Sequence, residues 1–374
     1  MKDKIMGFFL TIVMIGLMGL IGFLGYKIYH EIVGDGSLKF DFAEGVGYPT
    51  EQFGTTGIDK NASHIDSEYF TGIESTDNLS EEINQNTGKH LYKQLDDNSK
   101  LIYDKLYQNK ENLKTGIYTI EFGNVFGKLL EQEGGTKKLQ EQYQAAIEAF
   151  LYENPDVFYL DATNMYINIE KITKITGTKY NVFIDKGSKT TYLAEGFYTK
   201  EDVDRYQQQI EQERDKILLM VNGKSNYEKL KIIHDYLIEN IEYDTTLLED
   251  NIYNIYGALV SKKCVCEGYA KAYQYLVNAI GINNTIVIGI GTNSKNETEN
   301  HAWNYVELDG KWYAVDTTWD DPIIIGGGKL TKDLKYQYFL KGQKTMSENH
   351  VTSGNFTEGG KIFEYPILSE TDYK

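Results

Sequence analysis

From Ile5 to Tyr26 the chain runs for 22 residues without a formal charge, as IMGFFLTIVMIGLMGLIGFLGY. A helix of that length at about 1.5 Å per residue reaches roughly 33 Å, enough for a hydrocarbon core of about 30 Å. The run is longer than the apolar part of a usual signal peptide, and no A-x-A-like site follows in KIYHEIVGDG. The pattern predicts an uncleaved transmembrane anchor over 5–26 behind a cytoplasmic stretch at 1–4, where Lys2 and Lys4 favour an inside N-terminus. The rest of the chain is then expected outside the cytoplasm of a single-pass membrane protein. No period persists over 27–88, which is rich in Gly, Ser, Thr, Asn and acidic residues and reads as a tether.

Periodicity begins near Lys89. LYKQLDDNSKLIYDKLYQ has a helical stripe that includes Leu101, Tyr103 and Leu106. A second helix is expected after Thr136 as N-cap, with Leu139, Tyr143, Ile147, Phe150 and Leu151 facing inward and an end before Pro155. VFYL, MYINIEKI and KYNVFID read as strands, the last two joined through Thr176-Gly177. A long polar helix, EDVDRYQQQIEQERDKILLM, closes an α+β unit over 89–222. A further unit over 223–350 opens with a helix whose face carries Tyr227, Leu230, His234, Leu237 and Ile241; His234 there reads as a satisfied core histidine. It continues through a segment with both cysteines, the strand TIVIGI, and the pair of strands in NHAWNYVELDGKWYAVD. Residues 351–374 are expected to pack on this core as a tail.

Composition narrows the class. The 374 residues carry a net charge of −17 and no basic patch, which argues against a nucleic-acid partner. Two cysteines supply no disulfide framework, and at i, i+2 they rarely meet the geometry for bonding each other. Cysteine is therefore read as chemistry. CEGYAKAYQYLVNAIG has helical spacing with Gly281 closing it, so Cys266 falls at a helix N-terminus, where free amides and the helix dipole favour a thiolate. Asp309-Gly310 is a two-residue hairpin turn. If Leu308 pairs with Lys311, Asp316 lies opposite Trp303, and His301 and Asp316 become diagonal neighbours on one face. A carboxylate so placed reaches one imidazole nitrogen and fixes its tautomer. Cys266, His301 and Asp316 thus form a candidate nucleophile, proton shuttle and orienting acid. Taken singly, each has a bland reading: the cysteines as small buried apolar groups, Trp303, Trp312 and Tyr313 as core. No metal or cofactor is expected, because a zinc site needs more good ligands than His301 alone adds.

YGALVSKKCVCEGYAKAYQYLVNAIGI, NHAWNYVELDGKWYAVDTTWDDP and YFLKGQKTMSENH together resemble the transglutaminase-like superfamily in its bacterial branch, over roughly 226–350. The resemblance implies a papain-like α+β core. It implies that Cys266, followed by x-G-Y-A, is the nucleophile, with His301 of H-A-W-N and Asp316 closing W-Y-x-V-D as its partners, and Cys264 a packing residue. The preceding unit is similar to the extension found in other membrane-anchored members. The expected activity is acyl transfer or hydrolysis on protein or peptide amides at the cell envelope, of transglutaminase or of protease and amidase type. The alternative is an inactive module that binds wall or envelope polymer. No calcium loop is evident.

Overall fold

A computed structural model describes residues 89–374, apart from 175–176, 249, 294–295, 322–334 and 353–360. The expected anchor at 5–26 and tether at 27–88 lie outside the described residues. Among the described residues no helix is long and apolar enough to cross a membrane.

The first unit begins with a 3-10 turn, Tyr92–Gln94, and helix α1, Asp97–Gln108. The single helix expected from residue 91 therefore starts later, because Asp96 is extended and its carboxylate accepts from Ser99 N at 2.8 Å. A short helix α2, Lys110–Leu113, strand β1, Ile120–Gly123, and a turn of helix α3, Gly127–Leu130, follow. Helix α4 is Gly135–Glu153. Thr136 is not its cap: Gly134, at φ 74°, is, and Thr136 already lies inside the first turn. VFYL is not a strand either. Pro155–Val157 is a 3-10 turn, and only Leu160 bridges, to Leu193, since Pro155 sets a tight turn straight after α4. Strands β2, Tyr166–Lys174, and β3, Gly177–Asp185, pair antiparallel with Lys174 opposite Gly177, and β1 flanks β3. The connection expected at Thr176-Gly177 thus falls on 175–176, outside the described residues.

Helix α5, Lys200–Val221, and helix α6, Asn226–Asn240, each open on a capping box, Thr199 with Asp202 and Ser225 with Glu228. The face of α6 is as expected at Leu230, His234 and Leu237, while Tyr227 at its first turn is 38% exposed. Strand β4, Glu242–Tyr243, pairs parallel with β5, Lys263–Cys264, and helix α7, Cys266–Ala279, starts directly after. Strands β6, Asn284–Thr292, β7, Thr298–Leu308, and β8, Lys311–Val315, form an antiparallel sheet of order β8-β7-β6-β9 with β9, His350–Thr352. A short helix α8, Gln343–Met346, precedes β9. Helix α7 lies across β6 and β7, and residues near Leu368 and Ser369 lie along β8. One apolar core runs from Leu91 through Phe150, Ile217 and Tyr273 to Phe363, so both units bury their faces against each other. This is a mixed helix-and-sheet protein with α7 laid on a twisted antiparallel sheet.

Candidate active site

The site assembles where the N-terminus of α7 meets the β7 face of the sheet. Val265 is extended (φ −102°, ψ −177°) and donates its N–H to Ile252 O at 3.0 Å, so the helix begins at Cys266. The glycine two residues later is forced by packing. A Cβ on Gly268 would lie 2.6 Å from Cys264 Cβ and 2.7 Å from Ile252 O. Cys264 fills that crevice, is fully buried, and has its thiol pushed well above the usual range by burial. Cys266 is partly exposed and packs on Ala270, Ile286 and Ala302. The tyrosine of the same segment, Tyr269, ties the helix down: its hydroxyl lies 3.1 Å from Ile241 O and 2.6 Å from Asp321 Oδ2.

The hairpin has the expected register. Leu308 pairs with Lys311 and Asn304 with Val315, with Asp309 and Gly310 both at positive φ in the turn. Asp316 follows the last paired residue, and its Oδ2 accepts from His301 Nε2 at 2.7 Å. That leaves Nδ1 of His301 free of Asp316, on a ring that Cys266 is close enough to influence. The structure joins His301 to Asp316 and places Cys266 near enough to raise His301. Both members of the His301–Asp316 pair are buried. Burial works against a charged imidazole, but Asp316 first and Cys266 after it more than offset this and raise His301 to about 10. Burial also opposes the Asp316 charge, yet His301 and then His350 hold its carboxyl well below the usual carboxylate range. An ionised acid beside a protonated base is the result.

Two glycines of TIVIGIGT find their reason here. A Cβ on Gly291 would meet the Trp319 ring at 2.6 Å, and that ring stacks on His301 with centroids 5.0 Å apart. A Cβ on Gly289 would lie 2.2 Å from Val351 O, blocking the approach of β9. Sequence reasoning left these glycines unexplained, and it missed His350, the last residue of YFLKGQKTMSENH. His350 opens β9 opposite Gly291, is buried, and places Nε2 3.0 Å from the same Asp316 Oδ2. Asp316 Oδ1 accepts from Thr318 N at 3.0 Å and Trp319 N at 3.1 Å, so four donors converge on one carboxylate. His301, Asp316 and His350 offer ligand atoms within 4.8 Å of one another. A metal ion there would have to replace both imidazole hydrogen bonds to Asp316. The arrangement reads as a hydrogen-bonded cluster.

Residues 217–317 match the model of the transglutaminase-like superfamily. The chain carries a transglutaminase-like domain. The match starts within α5 and ends just past Asp316. Over 143 residues the chain is 26% identical to kyphoscoliosis peptidase of Mus musculus and 25% identical to that of Homo sapiens, covering 35% of this chain. The match spans about a fifth of the length of these relatives (22%). A solved TGase superposes with 18% identity and a TM-score of 0.28, covering 46% of this chain and 48% of the other. The periplasmic domain of TgpA from Pseudomonas aeruginosa, bound to ethylmercury, gives 15% identity and a TM-score of 0.25, covering 38% of this chain and 56% of the other. At those scores neither structure bears on the chemistry of the transglutaminase-like domain.

Proposed function

We propose that this protein is a thiol enzyme that acts on protein or peptide amides through Cys266, His301 and Asp316, held outside the cytoplasm by the apolar segment at 5–26. The observation that carries this reading is the placement of one buried imidazole between a carboxylate and a partly exposed thiol at a helix N-terminus. With the proton of Cys266 already held on His301 Nδ1, the thiolate sulfur attacks the amide carbonyl carbon. The oxyanion that forms faces the first-turn amides of α7, Cys266 N–H among them, which no helix carbonyl takes. The imidazolium returns its proton to the leaving amine as the C–N bond breaks, leaving a thioester on Cys266. Water or an amine then attacks the thioester, His301 Nδ1 takes its proton, and the C–S bond breaks to release the Cys266 thiolate. Water gives hydrolysis, the reaction type named by the related peptidases; an amine gives a transferred acyl group. Asp316 keeps Nε2 protonated, so Nδ1 always faces the sulfur.

The test is labelling of the intact protein by iodoacetamide near neutral pH, followed by peptide mapping. Selective modification of Cys266, abolished in Cys266→Ala and retained in Cys264→Ala, is expected. Equal or reversed labelling of the two cysteines would overturn the assignment and leave the inactive, polymer-binding module as the better reading. Incorporation of a fluorescent primary amine into a glutamine-bearing protein, set against release of new peptide N-termini, separates acyl transfer from hydrolysis.

A further inference from the structure

We propose that His350 is a positioning residue of this site, which shares the Asp316 carboxylate with His301 and thereby sets how tightly His301 holds its proton. The proposal rests on the thiol-enzyme reading above and adds a fourth member to it. Three observations carry it. Both imidazoles address the same oxygen, His301 Nε2 at 2.7 Å and His350 Nε2 at 3.0 Å from Asp316 Oδ2. His350 is clamped from its far side, with Nδ1 2.7 Å from Asn349 Oδ1, while Asn349 Nδ2 donates to the Tyr338 hydroxyl at 2.6 Å. Its ring is walled by Trp319 at 4.5 Å, Trp303 at 4.9 Å and Tyr338 at 5.2 Å between centroids, so it has little room to leave the carboxylate.

The consequence follows from electrostatics in a buried site. A donor N–H aimed at Oδ2 puts positive potential beside His301 and takes up part of the carboxylate's charge. Without it, Asp316 would act on His301 alone and the imidazolium would surrender its proton less readily to a leaving amine. Among the described residues, the groups facing His350 are few. They are Asp316 and His301, then Tyr338 through Asn349, with Asp320 and Glu348 behind Tyr338. Tyr338 is raised, by burial first, and stays neutral through the working range, so Asp316 and His301 dominate.

The experiment reads His301 through its sulfur neighbour and needs no substrate. The rate of Cys266 alkylation by iodoacetamide is followed against pH in the full chain, in wild type, His350→Met, His350→Gln and Asn349→Ala. Met removes the donor at similar volume; Gln restores an uncharged N–H at the same bond count from Cα. Loss of the His350 donor should move the upper inflection, where His301 gives up its proton, to higher pH by on the order of one unit. Gln should return it close to wild type, and Asn349→Ala, which only loosens the clamp, should shift it the same way by less. A His350→Met profile superimposable on wild type, or Gln behaving like Met, would overturn the proposal. If His350→Met does not fold, an unshifted Asn349→Ala profile overturns it instead. Absence of Cys266 alkylation in the wild type would sink the thiol-enzyme reading itself, and this proposal with it.

Discussion

Two buried imidazoles in the transglutaminase-like domain sit on carboxylates only four residues apart in the chain, and the environment makes them different things. His234 on α6 has Nε2 3.0 Å from Asp320 Oδ2 and Nδ1 3.1 Å from Asp235 Oδ1. Burial opposes its charge, but Asp235 and Asp320 outweigh it and raise the ring above its ordinary value. Both nitrogens are spent, and the ring is walled by Phe339 and Tyr336. His301 spends one nitrogen on Asp316 and keeps the other for Cys266. The pairs are alike in burial but not in charge: burial raises Asp320 to about 6, while His301 and His350 hold Asp316 well below the usual carboxylate range. On the proposed mechanism, what separates a structural strut from a proton shuttle is a second nitrogen that faces something reactive.

The largest expected effect lies on that second nitrogen. His301→Ala should lower turnover of any amide substrate by about a thousandfold or more, as loss of a proton-transferring or tautomer-fixing member does elsewhere. It should cost little stability, because Asp316 keeps Thr318 N, Trp319 N and His350 as donors. His234→Leu should do the reverse. It leaves buried Asp320 with only Tyr338 N as a donor beside an apolar side chain, and breaking such a buried pair costs about 3–5 kcal/mol. Turnover per folded molecule should stay within a fewfold of wild type. Denaturant unfolding and active-site titration of both variants check this. A His234→Leu protein of full stability and no activity would erase the distinction.

How much of this contrast was legible in the sequence can be seen residue by residue. The hairpin could be read because Asp309-Gly310 fixes a register, and a register in a sheet fixes which side chains share a face. Cys266 could be told from Cys264 because the helical period has a definite start. Both capping boxes, Thr199 with Asp202 and Ser225 with Glu228, are local patterns and were open to the same reading. Thr136 misled because Gly134 and Gly135 just before it allow the chain to enter the helix two residues sooner, without a side-chain cap. His350 and Gly289 were opaque for another reason. Their roles exist only where β9, from 34 residues beyond Asp316, comes back to the sheet edge beside β6. Long-range closure leaves no period in the chain.

Gly291 sharpens the comparison at intermediate size. Its missing side chain admits the Trp319 ring that stacks on His301, while His234 has its own ring neighbours, Tyr336 and Phe339. Gly291→Ala forces Trp319 or β6 to move, at about 1–3 kcal/mol for over-packing. Turnover and Cys266 alkylation should both fall, while the His234 cluster is untouched. If Gly291→Ala lost stability but kept the wild-type alkylation rate, the Trp319 stack would be packing without influence on His301.

The last comparison is the pH dependence of stability, and it tells whether His301 carries its proton alone. Its folded value, about 10, lies above the unfolded value of about 6.5, so the stabilisation it brings is complete below about pH 6.5 and lost as pH rises toward 10. One extra proton held by the folded state gives a slope of at most about 1.4 kcal/mol per pH unit. In the wild type that slope is masked when the thiol hands its proton to His301, because the pair as a whole then binds no more protons than in the unfolded chain. Cys266→Ala removes the masking and keeps Asp316, the larger of the two groups that raise His301. Unfolding free energy should therefore fall more steeply between pH 6.5 and 10 in Cys266→Ala than in wild type. The added His301→Gln substitution should flatten the curve again. Parallel curves for wild type and Cys266→Ala would mean that no proton passes between sulfur and imidazole, and His301 would join His234 as a strut.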